Sequence, residues 1–134
     1  MIKLREKRSV HMPNPQVSSI TVSLFSFMLP MISIDINVEE KLVSIQKFPE
    51  TEAEIITISN LRLFLFLNQL KRVKLSEWKE YYSNEMEILD GTQWNVSFVM
   101  NGRTYYCSGD NNFPREWTLF CRAINRLVKY NYLE

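Results

Sequence analysis

Glycine and histidine are scarce in this chain of 134 residues. Its three glycines, Gly91, Gly102 and Gly109, are too far apart to form the glycine-rich loop that P-loop and dinucleotide-binding enzymes place against phosphate. The single histidine, His11, has no clustered cysteines beside it, whereas zinc sites need Cys and His ligands at short spacing. The same shortage disfavours catalysis by a nucleophile paired with histidine. We therefore predict no resident metal and no cofactor.

Cysteine is also rare, since only Cys107 and Cys121 occur, and two cysteines are too few for a disulfide scaffold. We favour free thiols over a bridge because nothing else indicates secretion. The apolar stretch 20–36 follows basic residues, as in a signal peptide, but it starts late and lacks a small-residue cleavage site. It is also too polar to span a membrane. The sequence thus predicts a cytoplasmic protein with no membrane partner.

The chain has little net charge, only +1, so any attraction to nucleic acid must come from local patches. Apolar residues make up 46% and charged residues 23%, as in ordinary globular proteins. Residues 1–17 show no periodicity and are rich in Lys and Arg, which predicts a flexible basic arm. Residues 18–134 are then expected to form one domain.

Alternation of apolar and polar residues predicts strands in the first half of the chain, followed by a helix at 61–73. Thr57 or Ser59 is expected to cap this helix. Apolar residues occur on most of its sides, which predicts a helix buried over most of its surface. The alternative is that the surplus apolar stripe packs against a second copy in a homodimer. The predicted strands are 19–27, 32–38 and 42–48, with an acidic loop at 49–54.

The second half contains the clearest turn signal in the sequence. Asn101-Gly102 stands between two alternating runs, 94–100 and 104–107, as in a hairpin with a type I′ turn. Pro114 is then expected in the first turn of a final amphipathic helix. With the first half, this gives two hairpin-then-helix units. We predict an α+β fold in which an antiparallel sheet carries two helices on one face.

Two segments of the C-terminal part resemble a loose group of uncharacterised small bacterial proteins. Asp90-Gly91-Thr92-Gln93-Trp94 matches a D-G-x-x-W strand start, and Gly109-x-Asn111-x-Phe113-Pro114 matches a G-x-N-x-(aromatic)-P helix entry. Trp78 is similar to a tryptophan upstream of that turn. The resemblance covers Trp78 to Glu134 and leaves the N-terminal half unmatched. It implies a bacterial or phage source and an α+β layout, but no activity.

Basic residues form the strongest candidate for a binding surface. A helical projection places four of them on the side of the final helix opposite its apolar stripe, where they could contact RNA phosphates or an acidic protein surface. An ordinary solvated helix face is the alternative. Other basic residues, in the arm and at the end of the first helix, would extend the same field. The candidate residues are Arg115, Arg122, Arg126, Lys129, Lys71, Arg72, Lys74, Arg5 and Arg8.

Tyrosines in the same part of the chain could stack on bases or anchor a protein interface. Carboxylates could form an acid–base pair, but we favour a structural role, since turn formation explains two of them. We therefore expect no enzyme. The tyrosines are Tyr105, Tyr106, Tyr130 and Tyr132, and the carboxylates are Asp35, Asp90, Asp110 and Glu116.

These features predict a non-enzymatic binding module that modulates or inhibits a larger bacterial macromolecular complex, made of protein or of protein and RNA. An inhibitor of an RNA-guided nuclease, carried by a phage or mobile element, is one concrete case. The alternative is direct RNA or DNA binding through the basic helix face.

Overall fold

A computed structural model describes residues 16–26, 31–50, 52–84 and 91–133. It contains one seven-stranded sheet and two α-helices, which confirms the predicted α+β class. The strands, in chain order, are β1 (Val17–Ser26), β2 (Ile32–Asn37), β3 (Leu42–Lys47), β4 (Glu54–Thr57), β5 (Tyr81–Tyr82), β6 (Thr92–Met100) and β7 (Arg103–Asp110). The helices are α1 (Asn60–Val73) and α2 (Trp117–Val128), and a short 3-10 helix covers Leu75–Glu77.

The sheet order is β4-β3-β2-β1-β6-β7-β5. All neighbours are antiparallel except β5 and β7, which are parallel. The two predicted hairpins, β2–β3 and β6–β7, are therefore joined through β1 at the centre of the sheet. Asn101 and Gly102, at the tip of the second hairpin, both have the positive φ expected from the Asn-Gly pair (54° and 79°).

One face of the sheet forms the core together with the helices. Alternate residues of the central strands are almost completely buried, and α1 and α2 pack on that side. The core face includes Ile20, Val22, Ile34, Ile36, Val43, Ile45, Trp94, Val96 and Phe98. Most residues between these positions are Ser, Thr, Asn or Gln, so the opposite face of the sheet is polar.

The two helices run antiparallel. Near one end of the pair, the guanidinium of Arg62 donates a hydrogen bond to the carbonyl of Leu127. Near the other end, the Trp78 indole donates to the Val73 carbonyl (3.1 Å) and packs on Phe120 with a centroid distance of 5.2 Å. The start of α1 therefore lies beside the end of α2.

Several boundaries differ from the sequence predictions. Val17 already belongs to β1, and the backbone N–H of Gln16 donates to the side-chain oxygen of Asn101 (3.1 Å), so the sheet begins inside the segment predicted as an arm. The predicted acidic loop at 49–54 ends in edge strand β4, and β5 was not predicted. Pro114 precedes α2 instead of lying in its first turn.

Ser59 is the N-cap of α1, and its hydroxyl accepts a hydrogen bond from the Arg62 backbone N–H (3.2 Å). The prediction that this helix is buried over most of its surface is wrong. Only Leu63, Phe66, Leu70 and Val73 are buried along α1, so one side faces solvent.

Candidate interaction surface on the helix layer

Neither α-helix contains an aspartate or a glutamate, although the whole chain has 15 acidic residues. The basic residues of the helices are therefore not balanced within their own elements. Carboxylates of the described residues lie instead in turns, at strand ends, on the sheet or beside the helix ends. This separation of charge gives the outer side of the helix layer a positive character.

Seven cationic side chains of this layer are exposed, and all seven were candidate site residues. Within the described part of the chain, none of them makes a side-chain hydrogen bond, an ion pair or a cation–π contact. We call this set the basic surface. It consists of Lys71, Arg72, Lys74, Arg115, Arg122, Arg126 and Lys129.

The α2 contribution to the basic surface follows from helical spacing. Arg122 and Arg126 are one turn apart on the side away from the buried residues Phe120, Ile124 and Leu127. Lys129 is the C-cap residue, and Arg115 precedes the helix in a turn, so only the middle of the predicted row is helical. The remaining candidates, Arg5 and Arg8, lie outside the described residues.

The α1 contribution is concentrated at the C-terminus of that helix. Lys71 and Arg72 occupy its last turn, where cations interact favourably with the negative end of the helix dipole. Lys74 is the C-cap in the left-handed conformation. Because the helices are antiparallel, these residues lie towards the start of α2 and Arg115.

The aromatic candidates divide between two sides of the molecule. Tyr130 is 61% exposed and lies just after α2, whereas Tyr132 donates a hydrogen bond to Glu54 (2.9 Å). Tyr105 stacks on the core residue Phe98, and Tyr106 is on the polar face of the sheet. Of these four candidates, only Tyr130 is largely exposed near the basic surface, where its ring centroid lies 4.6 Å from that of Tyr132.

The described carboxylate candidates do not converge. Asp35 is on β2 and Asp110 on β7, with two strands between them, so at least about 14 Å separates them across the sheet. Glu116 immediately precedes α2 on the helix side. Asp90 lies outside the described residues. Among the residues that the structure describes, no group of three or more His, Cys, Asp or Glu side chains could hold a metal ion.

Both cysteines are buried with free thiols. Burial raises the pKa of Cys121 to about 12 and also raises the pKa of Cys107, with a smaller contribution from Glu80. A thiol of raised pKa stays protonated at neutral pH and is a poor nucleophile. Both side chains act as small apolar groups of the core.

The segments that carry the bacterial resemblance meet around Trp94. Its indole N–H donates to the Asn112 carbonyl (2.7 Å), and its ring packs on Phe113 and on Trp117. Asn111 has a φ of 51°, and its backbone N–H donates to the Thr92 carbonyl (2.7 Å). These contacts give the described part of the motif a packing role.

The polar face of the sheet has a different character. It contains a shallow depression of about 320 Å³, which is lined mainly by hydroxyl and amide groups together with Glu80. The strands contain only two basic residues, Lys47 and Arg103, and each stands at a strand end. The basic surface and this face are thus chemically distinct.

None of the helices in the described ranges is both long and apolar enough to cross a membrane. No protein-family model, no curated protein and no solved structure matches the chain. The resemblance to small bacterial proteins accordingly stays a prediction.

The second apolar stripe of the first helix was expected to be buried, in the core or against a second copy, but it is exposed in the structure. Leu61, Phe64 and Leu65 are 66%, 61% and 50% exposed on α1. The available signal was the second apolar stripe, which the sequence alone could not assign to the core or to solvent. Its exposure depends on how far α1 stands from the sheet and from α2.

Proposed function

We propose that this protein is a non-enzymatic binding module whose basic surface contacts an anionic surface of another protein or of a protein–RNA complex. The observation that carries the proposal is the set of seven exposed cations on a layer whose helices contain no carboxylate. Such a layer attracts anionic partners and repels cationic ones, and it accelerates encounter with the correct partner.

The proposed consequence of binding is modulation or inhibition of the larger complex. A small domain can block a functional surface sterically or electrostatically without any chemistry of its own. An inhibitor of an RNA-guided nuclease, encoded by a phage or mobile element, is one concrete form of the proposal. In that setting the basic surface would contact exposed RNA backbone or an acidic protein region in the bacterial cytoplasm.

Direct binding of free RNA or DNA is the second candidate. The arginines Arg122 and Arg126 favour it, because guanidinium groups bind phosphates with bidentate geometry. Among the described residues, only two largely exposed aromatic side chains, Phe64 and Tyr130, lie on or beside the basic surface. This small number disfavours free nucleic acid, because single-stranded nucleic acids are bound largely by stacking of successive bases. We therefore place a protein-containing partner first.

Affinity capture from a bacterial lysate, with and without nuclease treatment, tests the proposal. We expect the wild-type protein to retain a partner that mass spectrometry identifies and that survives nuclease treatment. The double variant Arg122→Glu/Arg126→Glu should retain much less of this partner. Its two substitutions change the charge by four units within one turn of exposed helix.

The matched control is Lys79→Glu/Arg103→Glu, which makes the same change in net charge at exposed positions outside both helices. Equal loss with the two double variants would show only a net-charge effect and would refute a specific surface. Loss of all captured material after nuclease treatment would favour the nucleic-acid alternative.

A further inference from the structure

An apolar row lies on the outside of α1, immediately beside the basic surface. Leu61, Phe64 and Leu65 are spaced by three and four residues, so their side chains point to the same side of the helix. They are 66%, 61% and 50% exposed. Three large apolar side chains grouped in this way differ from the single exposed hydrophobic residues that occur on ordinary surfaces.

Cations lie on two sides of this row. Because α1 and α2 are antiparallel neighbours, the Leu61 end of α1 lies beside the end of α2 that carries Arg126 and Lys129. Lys71 and Arg72 follow the apolar row along α1 itself. The outer side of the helix layer is therefore a mixed surface, in which an apolar row adjoins positively charged residues on α2 and at the end of α1.

Charge disfavours a second copy of this chain as the occupant. Pairing the helix layers of two copies would bring two sets of seven cations together without a carboxylate from either helix. Nucleic acid would satisfy the cations but would leave the aliphatic side chains of Leu61 and Leu65 without an apolar partner. The surface requires an occupant that is apolar and acidic together.

We propose that the occupant is an acidic amphipathic helix of a partner protein, which places its apolar side on Leu61, Phe64 and Leu65 and its carboxylates beside the adjacent cations of α1 and α2. Helices of this kind use anchor residues at positions i, i+3, i+4 and i+7, which match the spacing on α1. This inference rests on the proposed function, since it specifies the partner class for the same helix layer.

Fluorescence anisotropy with synthetic probes tests the inference. The main probe is a labelled peptide of about 18 residues with Leu at helical a and d positions and Glu at most others. A peptide of the same composition with permuted order, so that no apolar side forms, is the first control. Vesicles containing anionic phospholipid and a single-stranded oligonucleotide are the other probes.

The decisive variant is Phe64→Ser/Leu65→Asn. Its matched control is Phe25→Ser, because Phe25 is 51% exposed but lies on the opposite face of the sheet. We expect the double variant to weaken binding of the amphipathic peptide at least tenfold and the control to leave it unchanged. Thermal unfolding of each variant verifies that the fold is retained.

Each other outcome overturns the inference. Equal affinity for the permuted peptide would show charge attraction without an apolar site, and no peptide binding would exclude an acidic helix. Binding of vesicles or oligonucleotide that depends on Phe64, without peptide binding, would assign the row to a membrane surface or to nucleic acid. The proposed function fails separately, when Arg122→Glu/Arg126→Glu retains the partner captured from lysate.

Discussion

Gly109 lies directly beneath the indole of Trp94 in the strand pair β6–β7. A Cβ atom at Gly109 would be 2.3 Å from Trp94 Nε1 and 2.6 Å from the Asn112 carbonyl oxygen. These two atoms form the partly buried hydrogen bond between Trp94 and Asn112. The glycine therefore leaves room for the central aromatic ring of the core, which explains why the motif contains glycine at this point.

We expect Gly109→Ala to lower the free energy of unfolding by about 3 kcal/mol, because the new methyl group must displace the indole or the backbone. Gly102→Ala is the control, since no atom lies within 4 Å of its added Cβ and only the positive φ of 79° opposes it. Gly102→Ala should lower the free energy of unfolding by about 1 kcal/mol. Urea denaturation of both variants measures the difference, and equal losses would contradict the packing role.

The buried thiol of Cys121 makes the free energy of unfolding depend on pH in the alkaline range. Burial raises its pKa from 9.0 to about 12 in the folded protein. The unfolded chain therefore loses this proton first, so the stabilisation is complete below pH 9 and is lost as the pH rises towards 12. Desolvation and the hydrogen bond to Glu54 raise the pKa of Tyr132 from 10.0 to about 12. Its contribution to the free energy of unfolding is therefore also lost as the pH rises above 10.

We expect the free energy of unfolding to fall above pH 9 by at most about 1.4 kcal/mol per pH unit from the Cys121 thiol. Cys121→Ala should make the fall of the free energy of unfolding with pH less steep. The contributions of Cys107 and Tyr132 to that fall remain in the variant. Urea titrations at about pH 8 and about pH 10 compare the slopes. An unchanged slope in the variant would show that the thiol does not cause it.

At the scale of elements, both α-helices end at a lysine in the left-handed conformation, Lys74 with φ 56° and Lys129 with φ 60°. This conformation favours glycine, and another L-residue pays about 1 kcal/mol to adopt it. A cation at this position also interacts with the negative end of the helix dipole. Both lysines belong to the basic surface.

We expect Lys74→Gly to raise the thermal midpoint, with a gain of up to about 1 kcal/mol in the free energy of unfolding. Lys74→Ala should give no such gain, because it removes the charge but keeps the backbone cost. Calorimetry of the two variants separates conformation from charge. Equal gains from alanine and glycine would contradict this and would show that relief of repulsion among the cations, which both variants share, dominates.

The elements that sequence analysis predicted well have strong local signals. The Asn101-Gly102 turn and the period of two in β6 determine the second hairpin, and Ser59 begins α1 as expected. Strands β4 and β5 lack such signals, since they have only four and two residues and form at sheet edges through tertiary pairing. Sequence periodicity cannot report contacts of that kind.

The basic surface could likewise be predicted from the sequence only in part. Helical spacing placed Arg122 and Arg126 on one side of α2, because the opposite stripe is strongly apolar. Lys71 and Arg72 were expected to extend this surface, but no local signal gives the antiparallel packing of the helices that places them towards the start of α2. The exposure of Phe64 likewise depends on the position of α1 on the sheet.

At the scale of the whole molecule, charge is divided unevenly: exposed cations are concentrated on the helix layer, and the described carboxylates lie mostly in turns, on the sheet and beside the helix ends. A net charge of +1 conceals this division, because the seven cations of the basic surface are offset by carboxylates elsewhere. Local fields guide association even when the net charge is small, and salt screens them over about 10 Å at 0.1 M. We therefore predict that the partner interaction weakens as ionic strength rises.

The most direct test is the affinity for the captured partner, measured against salt concentration for the wild-type protein and for Arg122→Glu/Arg126→Glu. We predict that the double variant binds at least tenfold more weakly at about 50 mM salt, and that the gap narrows at about 300 mM as screening removes the attraction. Equal affinity of the two proteins at low salt would contradict the assignment of the helix layer as the binding surface.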